Sequence, residues 1–448
     1  MAETYDLIVR GGTLVTHAGR ERADVGVRGA TIEAIGDLSA ADAGEVFDAT
    51  GLHVLPGVID TQVHFREPGL EHKEDLEAGA RGAVLGGVTC VFEMPNTNPT
   101  TTDEAALADK LKRAKGRMHC DHAFFIGGTT ENTPDLGELE RLPGCCGVKV
   151  FMGASTGSLL VETDEGVEAV LRSVNRRATF HSEDEPRLAE RRALARAGDW
   201  TSHTEVRDVE AARLSTERLL RLARKVGQRI HVLHVSTAEE VPMLAAAKDI
   251  ATMEVTPQHL TLEGPEIYER LKGKAQMNPP VREARHKEEL WRAVRLGVAD
   301  VVGSDHAPHT LEEKAQPYPA SPSGMPGVQT LLPLMLDHCN AGRLTLERLV
   351  DLTSAGAQRV FGVARKGRLA KGYDGDLTIV DLNAKREITD DWMATKSGWT
   401  PFAGMTVTGW PMATIVRGHV VMREDEIIAP GLGEPARFME TLQPESDG

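Results

Sequence analysis

The 448-residue chain has only five cysteines, Cys90, Cys120, Cys145, Cys146 and Cys339. They are odd in number and no two stand at C-x-x-C spacing, so neither a disulfide framework nor a zinc ribbon is indicated and reduced, mostly buried thiols are expected. No apolar run approaches the roughly 20 residues that a membrane helix needs. The opening residues, Met-Ala-Glu-Thr-Tyr-Asp, lack the basic start and apolar core of a secretory signal, so a cytoplasmic location is expected. Positive charge is scarce as well: 51 Lys and Arg stand against 67 Asp and Glu, a formal net charge of −16. A surface of that sign argues against nucleic acid or an anionic membrane as the main partner. An anionic small molecule stays open, because local cations decide that.

What remains is ordinary globular material, 41% hydrophobic and 26% charged, enough for a sizeable core. The length exceeds one average domain and suits a barrel plus a smaller partner. Residues 4 to 55 hold short alternating runs, Tyr5–Val9, Thr13–Val15, Ala23–Val27 and Thr31–Ile35, separated by glycine-containing turns. They predict a small antiparallel sheet. The same texture returns in Gly375–Val380, Ala413–Val416 and His419–Met422. Two strand-rich ends, each with an apolar face to cover, predict one β-sandwich built from both termini, residues 1–55 plus 365–448.

Between residues 56 and 364 apolar strand-like runs alternate with amphipathic helical stretches, the pattern of a parallel α/β sheet. The runs are Val54–Phe65, Val88–Met94, Asp121–Ile126, Gly147–Met152, Arg177–His181, Arg229–Val235, Ala251–Val255 and Val298–Val302. Ser215–Lys225 reads as a helix between two of them, and Thr237-Ala-Glu-Glu240 resembles a capping box. Eight such repeats predict a (β/α)8 TIM-type barrel, whose active site lies at the C-terminal ends of the strands.

That rule invites a look at what ends each run. The first gives His64 and Arg66, with Gln62, His64 and Arg66 on one face of an extended segment. The second gives Asn96, the fourth Lys149, the fifth His181-Ser-Glu183, the sixth His234, and the last Asp305, His306 and His309. Singly, each of these histidines reads as a satisfied buried residue and Asp305 as a cap. Metal-competent side chains gathered at one end of so many strands instead favour a metal site. Lys149 is the hardest to explain structurally, because a buried ammonium is costly unless paired or neutralised. Reaction with CO2 would turn it into a carbamate, an anion able to bridge two cations. His119-Cys120-Asp121-His122 looks more like a metal cluster on paper, yet it lies at the N-terminal end of the third strand and reads as structural.

Val63-His-Phe-Arg-Glu-Pro-Gly69, Met94-Pro-Asn-Thr-Asn-Pro99, Met277-Asn-Pro-Pro-Val-Arg282 and Gly303-Ser-Asp-His-Ala-Pro-His309 together resemble the amidohydrolase superfamily, within it the cyclic amidohydrolases and most of all the dihydroorotases. The likeness extends over essentially the whole chain, including Lys366–Val380. It implies that His64, Lys149 and Asp305 hold one metal and Lys149, His181 and His234 another, one or two zinc ions in all, with Lys149 carboxylated as the bridge. It implies Asp305 as general base and then acid, and Arg66, Asn96, Asn278 and His309 as substrate contacts. The implied reaction is reversible hydrolysis of dihydroorotate to N-carbamoyl-aspartate in pyrimidine biosynthesis, with allantoinase or hydantoinase activity as the alternative. Arg66, a rigid fork matched to a carboxylate, favours the first of these. The resemblance leaves room for a homodimer. The loop Ala315–Gly327 reads as irregular and able to cover the site.

One residue departs from the resemblance. The first motif normally carries two histidines one residue apart, and the first of them is Gln62 here. An amide carbonyl substitutes poorly for imidazole on zinc. Gln62 therefore admits a reading of another class, a catalytically silent relative that supports a partner such as aspartate transcarbamoylase. The retention of Lys149, His181, His234 and Asp305 argues against it.

Overall fold

The computed structural model describes residues 4–154 and 159–441. Its centre is an eight-stranded parallel sheet of β1 (Val58–Val63), β2 (Val88–Glu93), β3 (Asp121–Gly127), β4 (Cys145–Phe151), β5 (Ala178–His181), β6 (Ile230–Val232), β7 (Ala251–Val255) and β8 (Val301–Val302). Each strand pairs with its sequence neighbours, and a parallel bridge from Val63 to His306 brings the far edge back to the first strand. The expected barrel is present. Every residue of these strands is buried, the condition of a parallel sheet covered on both faces.

The helices that cover it begin where the sequence supplies acceptors. Asp75, Asp103, Thr163 and Asp208 cap helices Leu76–Leu85, Glu104–Ala114, Asp164–Ser173 and Val209–Val226, each side chain accepting from a backbone N–H in the first turn. The last of these contains the predicted Ser215–Lys225 and stops at Gly227, whose φ of +81° is open to glycine. Its Leu219 and Leu222 join Val170 and Phe180 in the main core. The bonds of the Thr237/Glu240 box form as expected, with Glu240 N donating to Thr237 Oγ1 and Thr237 N to Glu240 Oε2, both at 3.2 Å.

One predicted strand is in fact two. Val54–Phe65 breaks at Gly57: His53–Pro56 pairs antiparallel with Leu377–Val380 in a terminal sheet, while Val58–Val63 enters the barrel. Pro56 has no N–H to continue the ladder. A Cβ on Gly57 would meet Thr89 Oγ1 at 2.2 Å, so only glycine passes between the two sheets.

The chain ends form a four-stranded and a seven-stranded sheet, the latter mixing residues 13–16 and 53–56 with 377–387 and 406–416. Their shared core joins Leu7, Val25 and Val54 to Leu377, Ile379 and Ile415, so both termini build one apolar interior. The four-stranded sheet is not purely antiparallel, because Asp42–Asp48 runs parallel to Thr4–Arg10. Past this unit, Ala436 and Phe438 pack with Phe92 and Phe125 of the barrel.

Candidate active site

β1, β4, β5, β6 and β8 deliver their polar residues to one cavity. It is lined by Gln62, His64, Arg66, Lys149, His181, His234, Asn278 and Asp305, with Ser323 and Gly324 of the loop after β8. Its volume of about 20 Å³ leaves room for little more than a water. The 315–327 loop is held down by Lys314 Nζ, which donates to the carbonyls of Gln276, Pro322 and Gly324 at 3.1, 2.7 and 2.7 Å.

His181 and His234 face each other, Nδ1 to Nε2, at 3.0 Å. Glu183 lies behind His181, its Oε2 2.8 Å from Nε2. Burial alone would raise the Glu183 carboxyl, but Arg207 and His181 outweigh it and hold it well below the usual range. Glu183 is therefore an anion that accepts a hydrogen bond from His181 Nε2–H and leaves the Nδ1 lone pair turned to His234.

Lys149 lies inside β4, 1% exposed, its Nζ 4.5 Å from the Phe151 ring centroid. Burial lowers it to about 7 against the pull of Asp305 and Glu254. A substantial share is then neutral amine at physiological pH, the form that reacts with CO2.

His64 Nε2 stands 3.2 Å from Asp305 Oδ1, and its Nδ1 2.8 Å from Asn96 Oδ1. Asn96 thus orients His64 from behind, rather than lining the cavity among the substrate contacts. Asn278 does line it, and its Oδ1 is buried without a partner among the described residues.

Arg66 is 3% exposed, with Nε donating to Pro308 O at 3.1 Å and Nη2 3.2 Å from His309 Nε2. No carboxylate forms an ion pair with it among the described residues. Burial lowers the guanidinium to about 10, still a cation at neutral pH. His309 is lowered to about 3 by burial and by Arg66, and is therefore neutral.

Sequence reasoning missed two supporting carboxylates. Glu183 was visible only as a neighbour of His181. Glu254 is buried beneath the site, accepts from Thr61 Oγ1 at 2.8 Å and is raised to about 8 by burial. Its position in the apolar run Ala-Thr-Met-Glu-Val255 is the same signal that marked Lys149. His119–His122 lies away from the cavity: Asp121 is at the start of β3 and binds Lys366 Nζ at 2.5 Å. With Asp374 and Asp376 it forms a carboxylate cluster whose centre is filled by that ammonium.

A parallel barrel whose strand ends gather imidazoles, an amine of lowered pKa and carboxylates around one closed cavity defines a hydrolytic enzyme of the barrel type. The chain belongs to the amidohydrolase family, whose model matches residues 53–421. It is 38% identical to a dihydroorotase of Methanosarcina acetivorans over 92% of this chain and 91% of that one. It is 35% identical to an allantoinase of Rubrobacter xylanophilus over 97% of each. Among solved structures, the L-hydantoinase (dihydropyrimidinase) of Arthrobacter aurescens superposes with a TM-score of 0.92 at 31% identity, covering 96% of this chain and 99% of that one. The family is generally metal-dependent.

Proposed function

We propose that this enzyme is a dihydroorotase, opening and closing the cyclic amide of dihydroorotate against N-carbamoyl-aspartate. The observation that carries this reading is Arg66, a buried cation at the cavity with no carboxylate ion-paired to it among the described residues. Such a group is costly until an anion arrives, and the carboxylate of dihydroorotate is one.

The donor set fits zinc: two imidazoles with ligating nitrogens converging at 3.0 Å, and beside them a lysine lowered to about 7 that can become a carbamate. Lys149, His181 and His234 would hold the ion, with His64 and Asp305 facing it across the cavity. When bound, it supplies Lewis acidity, polarising the attacked carbonyl and bringing the pKa of water towards 7. The chain's own residues do the rest. Arg66 fixes the substrate carboxylate beside His309, and Asn278 offers its carbonyl to a ring N–H. Asp305 takes a proton from the attacking water and returns it to the amide nitrogen as the ring C–N bond breaks. The 315–327 loop keeps bulk water out.

Identity to an allantoinase supports a second reading, but neither allantoin nor a simple hydantoin carries a carboxylate for Arg66. A silent subunit supporting aspartate transcarbamoylase is favoured only by Gln62. The decisive experiment measures turnover of dihydroorotate, allantoin and hydantoin by metal-replete protein. Turnover of dihydroorotate is expected. Activity confined to either of the others redirects the reading, and no turnover, together with binding to a transcarbamoylase, sinks it.

A further inference from the structure

The donors around the cavity fall into two groups. Lys149, His181 and His234 form one, with the His181 lone pair aimed by Glu183. His64 and Asp305 form the other, and its third member is Gln62, whose Nε2 donates to Asp305 Oδ1 at 3.0 Å. That bond fixes which end of the amide faces the carboxylate. Turning the amide over would press two acceptor oxygens together, a repulsive arrangement unless a cation lay between them. Asp305 Oδ1 therefore receives a neutral N–H where an imidazole lone pair would otherwise help to enclose an ion. The amide N–H end cannot ligate. Gln62 Oε1, buried and without a partner among the described residues, is left to accept from water or a ring N–H entering the cavity it lines.

We infer that the centre holds a single ion, at Lys149, His181 and His234, and that Gln62 makes the His64–Asp305 half a metal-free hydrogen-bonded pair. This rests on the reading that the cavity is a metal centre at all. It also gives the lysine carbamate one ion to bind rather than two to bridge, and leaves Asp305 oriented by Gln62 instead of by a metal.

The test is metal stoichiometry, independent of turnover. Full-length protein is equilibrated with Zn²⁺ in bicarbonate buffer, freed of unbound metal, and its zinc per chain measured by plasma mass spectrometry. A parallel sample carries Mn²⁺ for electron paramagnetic resonance. One ion per chain and an uncoupled manganese signal are expected. Gln62→His should raise the content to two and bring in spin coupling. Should that variant fail to fold, Gln62→Glu offers a ligand at the same place and should do likewise. Two ions in the unaltered protein overturn the inference while leaving the metal-centre reading intact. No ion overturns both. One ion in both the unaltered protein and a folded Gln62→His shows that Gln62 is not what excludes the second.

Discussion

Arg66→Gln separates a substrate-binding cation from a structural one, because the two roles predict opposite changes in stability. In the folded protein burial takes the guanidinium from 12.5 to about 10. At 1.36 kcal/mol per pKa unit, the folded state bears about 3 kcal/mol for keeping that charge at neutral pH. The cost is present throughout the pH range below 10, where the group stays protonated. Against it stands the bond to Pro308 O, worth about 1 kcal/mol. Removing the cation should therefore stabilise the free enzyme by about 2 kcal/mol, which for a chain of this size is about 2 °C in Tm. Substrate binding should move the other way. Truncating one member of a buried charge pair costs about 2–5 kcal/mol, so KM for dihydroorotate should rise about 30- to 5,000-fold. Because the carboxylate is held alike in ground and transition states, kcat should change by a few-fold at most. The assays are steady-state hydrolysis and differential scanning calorimetry on the same preparations. A variant that melts several degrees lower and keeps its KM would show that Arg66 is part of the framework, and the argument for a carboxylated substrate would fall with it.

Asp305→Asn should lower kcat by about 10²–10⁴ with little effect on KM, the size of a lost general acid and base; an unchanged kcat would move the proton transfer elsewhere. Glu183→Gln weakens the group that fixes the His181 tautomer, and zinc affinity measured by competition with a chelator should fall about 10- to 100-fold. Lys366→Met removes the one buried ammonium that contacts Asp121, Asp374 and Asp376 together and leaves them only the more peripheral Arg417 and Arg365, a loss of about 3 kcal/mol in denaturant unfolding. His122, His203 and His259 are lowered from 6.5 to about 4 by burial. The unfolded chain takes up these protons below 6.5 and the folded one only near 4, so their stabilisation is complete above 6.5 and lost as pH falls towards 4. Melting temperatures between pH 7 and 4 should drop accordingly, and a flat profile would contradict it.

The barrel and most of its cavity were legible because two regularities act together. Alternating runs place the strands, and the parallel barrel then gives every strand end the same side of the molecule, so His64, Lys149, His181, His234 and Asp305 could be gathered without a structure. Lys149 in particular announced itself, since an ammonium within Val148-Lys-Val-Phe-Met152 has no cheap structural explanation. What stayed hidden depends on three-dimensional neighbours. The break at Gly57 is set by Thr89 and Asp376, distant in sequence, which fill the space that a Cβ would need. Asn96 turns to His64 instead of lining the cavity because its loop folds behind that ring. Glu254 could have been found by the reasoning that found Lys149, as an ionisable residue in a strand buried on both faces.

The backbone around the cavity is held in conformations that side chains avoid. Arg66, His234 and Asp305 have φ of +66°, +35° and +45°, each in the left-handed region. Every such residue costs about 1–3 kcal/mol and persists only where its surroundings over-determine it. Those surroundings are visible in the bonds beside each one. His64 N donates to His306 O at 2.7 Å, tying the ends of the first and last strands across the barrel seam. Val235 N donates to Glu254 O at 2.9 Å just past His234, and Ser304 N to Asp60 Oδ1 at 2.9 Å just before Asp305. Two of these bonds close the barrel between its first and last strands and the third ties the sixth strand to the seventh, so bonds that hold the barrel together also hold the three functional side chains in strained turns. A residue needed only for packing would have drifted to a relaxed conformation or been replaced by glycine at no chemical cost. An arginine, a histidine and an aspartate kept there are accounted for by what their side chains do at the cavity.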